Sequence, residues 1–154
     1  MFKIVLLVSC LAIAAVGTDL PSKKYLNVAA IKKMVAAAEA KAEDLHLSVT
    51  ICIVDENGNL LFLQRGDNVS VNTLQWAQRK ARHAAFYKSP SREAAETIQK
   101  GKMEALAYPE FFPNQGGLPI LVDGQILGGI ATSGARSELD EAVAQAGLDA
   151  LQKP

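Results

Sequence analysis

From residue 27 to 45 the apolar positions recur every three or four residues. Ala29, Ala30, Met34, Ala37, Ala38 and Ala42 alternate with charged groups, and this predicts a helix capped by Asn27. Residues 48–54 then form an almost continuous apolar run, the mark of a core strand. Asp55-Glu56-Asn57-Gly58-Asn59 reads as a turn and residues 60–64 as a returning antiparallel strand. Helical spacing resumes over 71–87, with Leu74, Ala77, Ala81, Ala84 and Ala85 on one face, and Ser89-Pro90 ends it. Ser91 is placed to cap a further helix that stops at Gly101.

Residues 103–118, with Tyr108, Phe111, Phe112, Pro109, Pro113 and Gly116-Gly117, show no period and predict an irregular loop long enough to suspect function. Two apolar runs joined by Asp123-Gly124 follow, a hairpin whose type I′ turn needs two residues with positive φ. A last helix starts at Ser137 or Asp140 and runs through Val143, Leu148 and Leu151. Hairpins separated by helices predict an α+β fold, an antiparallel sheet of four to five strands covered by helices. Four strands are visible, and a fifth is expected, if anywhere, in the 103–118 segment.

The 154 residues support one domain. Ahead of it, Lys3 precedes an uncharged run over residues 4–16, too short for a bilayer but of signal-peptide length, with small residues at Ala15 and Gly17. Residues 1–17 are therefore expected to be a signal peptide and 18–154 the domain, in a periplasmic or extracellular protein with no membrane attachment after cleavage. A buried N-terminal helix or strand is the alternative, and Ala12-x-Ala14 a second cleavage site. Leu7-Val8-Ser9-Cys10 has the wording of a lipoprotein box, but the apolar run continues past Cys10.

Sixteen basic residues balance 16 acidic ones, and removing Lys3 shifts the balance from zero to minus one. Nothing here forms the basic face that nucleic acid needs. Cys52, the one cysteine left after cleavage, reads as a small buried hydrophobe. Arg65-Gly66-Asp67 is a three-residue match to integrin ligands, too short to carry that reading.

Five segments in order resemble the GlcG/HbpS-like family, which also supplies the C-terminal domain of PduO-type adenosyltransferases. They are Val54–Leu60, Arg65-Gly66-Asp67, Ala77–Phe86, Gly116–Gly134, and Asp140 to Gly147. The second lacks a residue and an alanine of the family pattern, and in the third His83 stands where the pattern has Thr. The resemblance implies a profilin-like α/β layer, assembly as a homo-oligomer, often an octamer, and an association with haem or other tetrapyrroles.

The chemistry-bearing residues are few. The G-x-G-x-x-G spacing and a Ser-His-Asp order are both missing, which argues against a nucleotide-dependent enzyme or a hydrolase. Imidazole is a common haem ligand. His83 lies in the second helix beside Arg79 and Lys80, cations suited to propionates, and is the candidate for haem iron. Its plain alternative is a helix-packed histidine. His46 reads as a helix C-terminal residue favoured by the dipole. Glu93 and Glu96, three apart on one helix, are a carboxylate pair for iron or another cation, or a solvated helix start.

Arg65, Asp67, Lys80 and Asp140 match polar family positions and read either as salt bridges or, with Tyr108, Phe111, Phe112, Pro113, Gly116 and Gly117, as the walls of a small cleft. The glycines are expected to allow close approach of a ligand. The leading expectation is a secreted protein that binds haem or a related tetrapyrrole and holds it. The alternatives are an enzyme acting on a small organic acid or a tetrapyrrole in the aromatic–glycine loop, and a structural or sensor-partner oligomer.

Overall fold

The computed structural model describes residues 19–152. The expected signal segment lies outside the described residues. Element order is α1 (Val28–Asp44), β1 (Thr50–Asp55), β2 (Leu60–Arg65), α2 (Thr73–Tyr87), α3 (Ser91–Gln99), a 3-10 turn (Met103–Ala107), β3 (Gly117–Val122), β4 (Gln125–Ser133) and α4 (Ser137–Gln152). The sheet has four antiparallel strands in the order β2-β1-β4-β3. No fifth strand forms among the described residues, because the segment that was open to one folds as the 3-10 turn and an irregular loop.

Alternation along β1 divides the core into two layers. Ile51 and Ile53 face α1 and α4, where Met34, Val35, Ile120, Ile130 and Ala144 complete the packing. Cys52 and Val54 point the other way, onto Ala77, Ala81 and Ala85 of α2. The sheet is thus sandwiched between the α1–α4 pair and α2.

Alanine on α2 meets glycine on the sheet, so the helix sits with its backbone almost on the strands. A Cβ built on Gly129 falls 2.1 Å from the Ala81 carbonyl oxygen, and one on Gly117 falls 2.3 Å from that of Lys80. The role expected for Gly117, room for a ligand, is therefore corrected: it makes room for α2.

The expected turns and caps form with one exception. Asn27 accepts the Ala30 N–H at 2.8 Å, and Asp123 and Gly124 take the positive φ values (50° and 75°) of the hairpin turn. Ser91, by contrast, does not cap α3. It is the first helical residue, and its hydroxyl donates to the Asn114 carbonyl at 2.7 Å and accepts the Gly117 N–H at 2.9 Å. It ties the irregular loop to the start of β3.

Candidate functional site

Helix α2 carries Lys80 and His83 on two neighbouring faces. One face turns to the start of α4. There Lys80 Nζ donates to Asp140 Oδ2 at 2.8 Å and to the Thr132 carbonyl at 3.1 Å. The pair is sealed, with side-chain exposures of 1% and 3%. Asp140 Oδ1 accepts the Ala135 N–H at 3.0 Å, and the Thr132 hydroxyl donates to the Asp140 carbonyl at 2.5 Å. Burial works against charge on both partners, pushing the lysine pKa down and the carboxyl pKa up, and each partner opposes the shift of the other. Gly116, with φ of 123°, lies against this pair, and a Cβ there falls 2.9 Å from Lys80 Nζ.

A cavity of about 280 Å³ opens over the pair, between the N-terminal ends of α2 and α4. Its walls are Ser70, Asn72, Thr73, Trp76, Asn114, Ser133, Gly134, Ala135 and Ser137.

The second face of α2 clamps the aromatic loop. Arg82 holds Glu110 through two bonds, Nε to Oε2 at 2.9 Å and a terminal nitrogen to Oε1 at 2.6 Å, which keeps the carboxyl below its usual range. The Arg79 guanidinium lies 4.1 Å over the Phe112 ring. His83 stacks on Tyr87 at 4.6 Å and meets Phe111 edge-on at 5.5 Å. The Tyr87 hydroxyl donates to the Pro109 carbonyl at 2.8 Å.

His83 is 1% exposed, and desolvation lowers its pKa, so the ring is neutral near pH 7. Its Nδ1 accepts the Phe112 N–H at 3.2 Å. A backbone N–H only donates, so the ring proton sits on Nε2 and the Glu110 carbonyl, 3.3 Å from the same Nδ1, is a contact rather than a hydrogen-bond partner. The lone pair of the ring is therefore committed to the loop. This corrects the expectation of His83 as a haem ligand in this conformation, while Lys80 is buried in its pair with Asp140 beneath the cavity and apart from the loop.

The structure brings Lys80, Asp140, Gly116 and Gly117 together, and places His83, Phe111 and Phe112 beside them in the loop clamp. Tyr108 lies exposed at the outer edge of the loop. Arg65 and Asp67 stand exposed at the end of β2 and just after it, and neither lines the cavity. They do not join the cleft expected of them. Glu93 and Glu96 are exposed on α3, with Glu96 3.8 Å from Lys100, and among the described residues no group of three or more His, Cys, Asp or Glu converges for a metal. His46 is an exposed residue just past α1 with φ of 54°.

Sequence reasoning missed Asn72, Trp76, Ser133 and Ser137, which line the cavity, and the Arg82–Glu110 clamp. Polar residues at two helix starts were the available signal, but nothing in the pattern showed that those starts meet.

A four-stranded antiparallel sheet between an α1–α4 layer and α2, with a buried ion pair under a small polar cavity, defines an α+β domain of the profilin-like kind. The family of HbpS-like proteins, described as haem degrading, matches residues 26–149, and the chain belongs to it. It is 31% identical over 112 residues to protein GlcG of Escherichia coli K12, covering 73% of this chain and 84% of that one. The crystal structure of HbpS superposes with a TM-score of 0.77 at 32% identity, over 89% of this chain and 97% of the other. A PduOC:haem complex superposes with a TM-score of 0.76 at 25% identity, over 82% and 95%.

Proposed function

We propose that this protein binds haem or a related tetrapyrrole and stores or sequesters it rather than transforming it. The observation that carries the reading is the shared backbone with a relative crystallised with haem. The chain's own surface supports it. Tyr87, Met103, Leu106 and Tyr108 lie exposed at the end of α2 and along the 3-10 turn, and Met and Tyr are both side chains that hold haem iron in proteins. These residues, rather than His83, would hold the macrocycle. The open surface they form calls for a second copy to cover the other haem face, so the reading includes a homo-oligomer, an octamer at the fullest. It also includes export after cleavage near Gly17, with a mature N-terminus near Thr18, to the periplasm or the extracellular space.

Haem titration tests the reading. A saturable Soret shift that Tyr108→Ala weakens, stable for hours in air with a reductant, is the expected result. No saturable shift overturns haem binding. A Soret band that decays with release of iron overturns storage in favour of degradation. Light scattering that finds a monomer at micromolar concentration overturns the oligomer.

A further inference from the structure

The cavity over Lys80 and Asp140 is far smaller than a tetrapyrrole, yet it has the features of a built site. Part of its polar wall is unpaired. Among the described residues, the side chains of Asn72, Trp76, Asn114, Ser133 and Ser137 make no hydrogen bond, although all five line the same 280 Å³ space. Ser133 is 1% exposed, so its hydroxyl has little besides the cavity to meet.

Asn72 sharpens the point. It occupies the N-cap position of α2, where asparagine ordinarily bonds to the helix, and its side chain makes no capping bond. Its amide is left for the cavity.

The charge of the site is legible as well. An ammonium carries three N–H donors, and Lys80 spends two, on Asp140 and on the Thr132 carbonyl. Asp140, the sole carboxylate in the wall, is matched by Lys80 and by the Ala135 N–H. The pair is neutral in sum, while two long helices, α2 of 15 residues and α4 of 16, turn their N-terminal ends to the same opening. Each such end acts as roughly half a positive charge. The first turn of α4 already holds Glu138 and Asp140, whereas that of α2 holds no acidic residue, so the α2 end is the one left to favour an anion. At about 30 Å³ per water-sized group, the volume suits a molecule of about five to ten non-hydrogen atoms.

We propose that this cavity binds a small organic acid, its carboxylate against the third Lys80 N–H, Asn72 and the start of α2, and its hydroxyl or second polar group against Ser133 and Ser137. The site is separate from the surface proposed for haem.

Trp76 lines the cavity and is the sole tryptophan of the sequence, so its fluorescence reads occupancy directly. The full chain is titrated with lactate, malate and succinate, and with lactamide as the neutral counterpart of lactate. A saturable change with at least one of the acids, and none with lactamide at the same concentrations, is expected. Asn72→Ala should weaken binding by about tenfold, the size of a hydrogen bond to a charged or strongly polar group, with no change in melting temperature because no cap is lost. Ser133→Ala is the second variant, should Asn72→Ala perturb the turn before α2. The proposal is overturned if none of the three acids gives a saturable change, if lactamide binds as well as lactate, or if both variants bind like wild type. Haem absorbance is followed separately, so either reading can fail while the other stands.

Discussion

Lys80 Nζ lies 2.8 Å from Asp140 Oδ2, although 60 residues separate them. The contact locks α2 to the start of α4 across the edge of the sheet. Removing one partner leaves a buried charge alone. Lys80→Met is expected to destabilise the protein by about 3–5 kcal/mol, and Asp140→Leu in the same background to restore a good part of it. Urea unfolding of the single and double variants measures this. A loss under about 1 kcal/mol for Lys80→Met would contradict the account of the pair.

The contact between α2 and the sheet has a different origin, and a different substitution reports it. Gly129 has no side chain because the Ala81 carbonyl occupies that space. Gly129→Ala must lift the helix from β4, at a cost of about 1–3 kcal/mol or more. Gly124→Ala meets nothing within 4 Å and carries only the strain of its positive φ of 75°, about 1–2 kcal/mol. Thermal melts should rank Gly129→Ala as more damaging, and the reverse order would show that α2 is loosely seated.

Cys52 faces the same α2 layer. Burial pushes its thiol up to about 12, so almost none of it is thiolate at pH 8. In a Cys10→Ser background the native protein should resist a thiol reagent for hours and react within minutes in denaturant. Rapid native reaction would mean that the α2 layer opens readily.

The local elements were legible because their signals are local. Asp123-Gly124 specifies a turn by its own backbone, and Asn27 caps α1 from three residues away. The alanine stripe of α2 also announced close packing, but not against what. The pairing of Gly117 and Gly129 with the helix backbone depends on how α2 lies across two strands, which no periodicity encodes. The candidate site shows the same division. Lys80, Asp140, Gly116 and Gly117 were each singled out, and they do meet. What each one does followed only from the geometry, since Lys80 turned out to be paired with Asp140 and His83 with the Phe112 N–H. Arg65 and Asp67 looked equal to them in sequence and lie elsewhere on the surface, because the second hairpin strand carries them away to the sheet edge.

His83 makes the stability of the loop clamp depend on pH. Burial lowers its pKa in the folded protein from the ordinary value of 6.5, while the unfolded chain keeps that value. Between the two values the unfolded state binds more protons than the native state, so stability falls as pH falls. The stabilisation is fully present above about pH 7 and begins to fade as pH drops through 6.5, until the folded-state pKa is passed. Protonation of Nδ1 also turns the acceptor of the Phe112 N–H into a donor, which exchanges that bond for one to the Glu110 carbonyl 3.3 Å away and opposes the desolvation cost only in part. The expected result is a melting temperature that declines from pH 7 to pH 5 in wild type and declines less in His83→Asn, whose side-chain oxygen accepts a hydrogen bond and does not titrate. Equal declines in both proteins would mean that the acid sensitivity comes from the carboxylates instead.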